Sequence, residues 1–275
     1  MSFMFKLSYN SNGLRCMDPI QAINEVAKAG YDGIELSFHP AHINPLEIDY
    51  ALLDRVKDAL NTNHLVLASI ASGCADLLSD EPYEPSLISP DQEGRKRRID
   101  MMKNSITIAK YLNCPILSFA SGFRKNEMSE EEANKILVDG IQELLRESGD
   151  LILAIEPEPD MFIGTSSSAI KLIDEIQNEY LKLNLDIGHV NCCEEDYLKK
   201  IDKALDYTVH CHIEDIKNRI HSHLIPGDGD IEFDRIWDIL KKHSYPYFIS
   251  VELYNHSDIW QTALEESISY LRNLK

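Results

Sequence analysis

Short apolar runs alternate along the chain with amphipathic stretches, and the alternation persists from end to end. Phe3 to Tyr9 predicts a first strand. Asp18 then caps a helical stripe through Ile23, Val26 and Ala27, with Pro19 in its first turn and Gly30 beyond its end. YDGIELSF (Tyr31 to Phe38) predicts the second strand, Leu52, Leu53, Val56 and Leu60 the next helical face, and LVLASIAS (Leu65 to Ser72) the third strand. PILSFASG (Pro115 to Gly122), LILAIEPEP (Leu151 to Pro159), LKLNLDIGHV (Leu181 to Val190), YTVHCHIED (Tyr207 to Asp215) and PYFISVELY (Pro246 to Tyr254) predict five more. Helices are expected from about Arg95 to Leu112, from a Ser129/Glu132 capping box through Leu145, around Ala169 to Ile176, and over Tyr197 to Leu205, Asp234 to Lys242 and Ala263 to Leu271. The segment from Gly73 to Gly94, with Pro82, Pro85 and Pro90, is too long for an ordinary connection and reads as a lid or a local excursion. PGDGD (Pro226 to Asp230) marks another loop.

Eight strands alternating with eight helical segments imply a parallel sheet, and eight units imply closure into a barrel. The expected architecture is a single (β/α)8 TIM-barrel domain spanning residues 1–275. The 275 residues, 44% hydrophobic and 27% charged, suit one large core. An open doubly wound sheet would want a glycine-rich phosphate turn after the first strand, and YNSNGLR contains no GxGxxG.

Charge and cysteines narrow the setting. A net charge of −19 repels phosphate backbones at long range, so a nucleic-acid partner is not expected. No run approaches the roughly 18 apolar residues of a membrane span. MSFMFKLSYN lacks the basic and long apolar parts of a secretory signal, which makes a cytoplasmic protein the default. Cys16, Cys74, Cys114, Cys192, Cys193 and Cys211 contain no CxxC pair and read as reduced structural residues. Cys192 and Cys193 follow LDIGH, which leaves room for a reactive thiol near a site mouth.

Four of the predicted strands end in LAIEPEP, LNLDIGH, VHCHIED and ISVEL, supplying Glu156, Asp186, His212 and Glu252. A lone strand-end Glu is ordinarily a solvated rim group and a lone His a packed one. In a barrel, four on consecutive strands converge at the C-terminal mouth. Three carboxylates meeting in a partly dry site repel one another unless a cation joins them. Carboxylate oxygens with one imidazole suit Mn²⁺, Co²⁺, Mg²⁺ or Zn²⁺. His210 shares a strand face with His212 but lies deeper. Glu158 shares a face with Glu156 and is open to a substrate or a rim role. Lys217 and Arg219 are candidates for an anionic or hydroxyl-rich part of a ligand, or ordinary surface cations. Glu35 and His39 end the second strand and either line the pocket or pack. Phe38, Phe119, Phe123 and Trp260 are candidate apolar walls or core, and Asp76 and Asp80 candidate turn residues.

IEP at Glu156, LDIGH at Asp186 and His189, HIEDIK at His212, HLIPGDGDIEF from His223 and VEL at Glu252 occur in an order and spacing that resemble the xylose isomerase-like barrels. That superfamily holds sugar-phosphate isomerases and epimerases together with apurinic-site endonucleases. The resemblance implies one divalent metal on Glu156, Asp186, His212 and Glu252, with Glu156 and Glu252 also moving protons through an enediolate and His189 contacting a substrate oxygen. It implies a metal-dependent isomerase or epimerase of a small sugar, keto-sugar or sugar phosphate. A one- or two-metal hydrolase or lyase on a small substrate is the alternative, and a non-catalytic binding module a blander one. In the endonuclease branch the residues matching one extra zinc would be His189, His221 and His223, with His221 standing where those enzymes place an aspartate. IASGCADL and SFASGF lack the histidines that the other extra zinc would need, which argues against DNA repair. The expected partner is a small polyhydroxy carbonyl compound, and a homo-oligomer is left open.

Overall fold

The computed structural model describes residues 5–40, 42–73 and 77–274; Phe3, Cys74 and Asp76 lie outside them. Eight parallel strands close into a barrel: β1 (Lys6–Asn10), β2 (Gly33–Ser37), β3 (Val66–Ala71), β4 (Ile116–Phe119), β5 (Ile152–Ile155), β6 (Leu181–Asp186), β7 (Thr208–Ile213) and β10 (Phe248–Val251). Each strand neighbours its sequence neighbour, and β10 closes on β1 with Lys6 opposite Phe248. The closure excludes the doubly wound alternative. A separate antiparallel hairpin, β8 (Asp215–Lys217) and β9 (Ile220–Leu224), forms in the connection from β7 to β10.

Nine α-helices lie among the described residues: α1 (Pro19–Ala29), α2 (Tyr50–Thr62), α3 (Gln92–Tyr111), α4 (Glu130–Ser148), α5 (Ser166–Ile176), α6 (Ile187–Cys193), α7 (Tyr197–Ala204), α8 (Phe233–Lys242) and α9 (Trp260–Asn273). Local signals set their starts. Asp18 and Gln21 form a reciprocal capping box on α1, and Gly30 ends it in the left-handed region at φ 91°. Ser129 accepts from the Glu132 amide at 3.1 Å to open α4. Apolar side chains of strands and helices form one continuous core, including Leu7, Ile34, Ile70, Leu117, Leu153, Leu185 and Ile249. A second apolar cluster joins Ile116, Ala154 and Val209. Since β4 and β7 are not neighbours, it crosses the lumen. Higher in the lumen the layer turns polar, with Ser8, Glu35, Ser69, Asn184, His210 and Ser250 all fully buried.

Two expectations are corrected by local chemistry. LKLNLDIGHV is not one strand: Asp186 accepts from the His189 amide at 2.7 Å, which stops β6 and starts α6. This adds a ninth helix to the eight expected. YTVHCHIED likewise ends at Ile213, and Asp215 opens the hairpin. The PGDGD run then wraps the buried Asp215 carboxylate, which accepts from Gly227, Gly229 and Ile231 amides at 2.8, 2.8 and 3.1 Å. A Cβ on Gly229 would meet Asp215 Oδ1 at 2.3 Å, so only glycine fits there.

Candidate active site

The strand-end residues Glu156, Asp186, His212 and Glu252 come together, with one ligand atom from each lying within 4.8 Å of the others. His212 is the centre: its Nδ1 lies 2.9 Å from Glu156 Oε1, 3.2 Å from Glu252 Oε2 and 3.8 Å from Asp186 Oδ2. Asp186 and His212 are fully buried, while Glu156 and Glu252 reach the mouth. The register explains this, since Asp186 pairs with His212 and His212 with Ser250, which places their side chains at one level.

Amides hold the outer oxygens of the two glutamates. Asn184 donates to Glu156 Oε2 at 3.1 Å, and Asn10 and Asn12 donate to Glu252 Oε1 at 3.1 and 2.7 Å. The pairs differ electrostatically. Burial pushes Glu156 above its ordinary range despite His212 beside it. Burial pushes Glu252 up too, but His212 outweighs it and the net shift is downward. Burial also works against Asp186, yet His189, His223 and His212 hold it below the ordinary carboxylate range. Next to it, burial and the Asp186 carboxylate push Glu214 well above the ordinary carboxylate range. Gly188 makes room for that carboxyl: a Cβ there would meet Glu214 Oε1 at 1.7 Å.

A second cluster adjoins the first. His189 of α6 and His221 and His223 of β9 point their Nε2 atoms at one place, 3.0 Å apart for His189 and His221 and 2.6 Å for His221 and His223. Backbone carbonyls fix two of these rings. His189 Nδ1 donates to Pro157 O at 3.0 Å, and His223 Nδ1 donates to Glu252 O at 2.9 Å. Both therefore turn Nε2 inward. Burial opposes protonation of His189, but Asp186 and Glu158 outweigh it and raise the ring to about 9. Burial and the facing His189 and His223 push His221 down to about 4. Glu158 Oε2 lies 3.2 Å from His189 Nδ1, and burial with the neighbouring carboxylates takes Glu158 up to about 8.

Both donor sets fit a divalent cation. The first offers three carboxylates and an imidazole, with the buried Asp186 Oδ2 lacking any hydrogen-bond partner among the described residues. The second offers three converging imidazole nitrogens, a set suited to zinc.

A cavity of about 360 Å³ opens over both clusters and is lined by Glu156, Glu158, Glu252, His221 and His223. Phe119 is in its wall, as are Asn12, Arg15, Tyr83 and Tyr254, which sequence reasoning missed. Asn10, Asn12 and Arg15 sit in YNSNGLR at the end of β1, so the strand-end rule applied to β1 would have found them. Lys217 and Arg219 lie on the hairpin, outside this lining; Arg219 donates to Glu194 O at 3.0 Å and pairs with Glu195. Glu35 is not at the mouth but below it, bonded to His212. Phe38 is core, Phe123 packs edge-on against Tyr83, and His39 packs edge-on against His42. Cys16, Cys114, Cys192, Cys193 and Cys211 are free, and burial pushes the Cys192 thiol up to about 12, which disfavours the reactive thiolate.

A closed parallel barrel with this constellation at its strand-end mouth defines a (β/α)8-barrel enzyme. The chain belongs to the xylose isomerase-like TIM barrel family, whose profile matches residues 23–274. It is 21% identical over 229 residues to the L-ribulose-5-phosphate 3-epimerase UlaE of Shigella flexneri serotype 5b, covering 81% of this chain and 78% of that one. It is 26% identical over 258 residues to the inosose dehydratase of Clostridium beijerinckii, covering 84% and 80%. The crystal structure of D-psicose 3-epimerase with D-tagatose from Clostridium cellulolyticum H10 superimposes with a TM-score of 0.81 at 16% identity, covering 98% and 99%. No helix among the described residues is long and apolar enough to cross a membrane.

Proposed function

We propose that this protein is a divalent-metal-dependent epimerase or isomerase of a small sugar, keto-sugar or sugar phosphate, working as one barrel domain. The observation that carries the reading is the convergence of Glu156, Asp186, His212 and Glu252 within 4.8 Å, under a cavity of sugar-sized volume. When bound by these four residues, Mn²⁺, Co²⁺, Mg²⁺ or Zn²⁺ would supply Lewis-acid polarisation of the substrate's carbonyl and hydroxyl oxygens.

The chain's own groups then divide the proton work. Glu252 Oε1 accepts from two amides, which favours the ionised form, so Glu252 is the base that removes the proton from the carbon beside the carbonyl. Glu156 has one such donor and is shifted upward by burial, so it is assigned the return of a proton to the resulting enediolate of the substrate. Glu158 lines the cavity, with His189 Nδ1 3.2 Å from its carboxylate, and the two are assigned as contacts for substrate hydroxyls. Relatives whose names denote an epimerase of a sugar phosphate support this class.

The test is solvent exchange. With Mn²⁺ and ketose or ketose-phosphate candidates in deuterated water, one C–H should exchange and the neighbouring centre invert. Release of water from the substrate without exchange into recovered starting material would replace this reading with a lyase.

One observation favours a second reading. The His189/His221/His223 cluster would give zinc a three-nitrogen site beside the first metal, as a two-metal hydrolase or lyase requires. A dehydratase among the relatives supports the lyase form. Two zinc ions per chain with incorporation of solvent oxygen into product would favour the hydrolase; loss of water would favour the lyase.

A further inference from the structure

We propose that Glu35 is a positioning residue, which holds the proton-bearing Nε2 of His212 and so commits Nδ1 as the nitrogen that faces the metal. The inference rests on the reading of His212 as a ligand.

Glu35 is the middle residue of β2, fully buried, and its Oε2 lies 2.8 Å from His212 Nε2. The opposite nitrogen, Nδ1, faces Glu156, Glu252 and Asp186. A neutral imidazole that ligates through one nitrogen carries its proton on the other. An ionised carboxylate can only accept, so a bare Nε2 at 2.8 Å from Glu35 would set two lone pairs against each other. Asn184 Nδ2 also approaches His212 Nε2, at 3.3 Å, but it is nearer Glu156 Oε2, at 3.1 Å, to which it donates. With Nδ1, which also lies 2.9 Å from Glu156 Oε1, given over to the cation, the proton belongs on Nε2 and is directed to Glu35.

The carboxylate itself is braced from several strands. His210 Nε2 lies 3.3 Å from Glu35 Oε2 and 3.0 Å from both Ser69 Oγ and Ser250 Oγ, and Ser250 Oγ reaches Ser8 Oγ at 2.6 Å. Side chains from β1, β2, β3, β7 and β10 thus form a polar floor under the cage, with Glu35 as its link to the ligand. A group needed only to fill the lumen would not require this aim at one ring nitrogen.

The test has two arms. In the Zn²⁺-loaded wild type, long-range ¹H–¹⁵N spectra should show His212 protonated at Nε2 and metal-bound at Nδ1. In Mn²⁺ titrations of metal-free protein, Glu35→Leu should weaken binding about 10- to 100-fold. Glu35→Gln, which keeps an acceptor, should recover most of the loss. The opposite tautomer in the wild type, or Glu35→Leu affinity within twofold of wild type in a folded protein, overturns the inference. If Glu35→Leu does not fold, the wild-type spectrum decides alone. A wild type that takes up neither metal overturns the ligand reading and this one with it; uptake with the wrong tautomer overturns only this one.

Discussion

The two donor clusters at the barrel mouth use the same strand ends in opposite ways. The carboxylate cage is built from side chains and braced by side chains, with Asn184, Asn10, Asn12 and Glu35 holding its outer atoms. The imidazole trio is braced by main chain, through Pro157 O and Glu252 O. Glu252 serves both, its carboxylate in the cage and its carbonyl on His223. Asp186 also serves both, since its Oδ1 starts the helix that carries His189 and its Oδ2 faces the cage. The cage offers hard oxygen donors and the trio borderline nitrogen donors, so the two prefer different ions yet are mechanically joined. The difference teaches that side-chain substitutions can empty the cage and leave the trio's carbonyl anchors in place.

The strongest test of that contrast is the metal dependence proposed for the cage. A chelator should abolish turnover, Mn²⁺ should restore it, and His212→Ala should lower metal occupancy by elemental analysis and block restoration. Next in size, Glu156→Gln and Glu252→Gln should each lower kcat by about 10²- to 10⁴-fold while circular dichroism shows the fold intact. Activity within a few fold of wild type would remove either from the proton path. Smaller still, His221→Ala should lower zinc capacity by one ion per chain and leave Mn²⁺ binding in the cage unchanged; equal losses at both sites would dissolve the distinction between them. The smallest effect is on pH. Because the folded pKa of His189 is raised to about 9, its charge contributes stability that is fully present below about pH 6.5 and lost as pH rises through 9. Thermal melts of metal-free protein should fall over that window, and His189→Gln should flatten the decline.

Much of this arrangement was legible in the chain because apolar runs mark strands and the residues that end them are chemically unusual. The cage follows from position alone, as Glu156, Asp186, His212 and Glu252 each close a run. What was hidden depends on contacts across the lumen. Glu35 reads in the sequence as a strand-end residue that lines the pocket or packs, and the register sets it beside Ser69 and Asn10, under the mouth. The hairpin was hidden because β8 has only three residues and no alternation to reveal it. The end of β6 was misjudged because LDIGHV is apolar enough to continue as a strand, and only the Asp186 capping bond turns it into a helix.

The hairpin carries a last consequence. Among the described residues β8 and β9 form a ladder with each other and with no barrel strand, so the barrel's ladder does not fix the arm that bears His221 and His223. An ion shared between that arm and His189 would act as a clasp, fastening an appended ribbon to the rim of a rigid cylinder. Amide hydrogens of residues 215–224 should then trade with solvent more slowly when zinc is present, while those of β1 and β10 keep their pace.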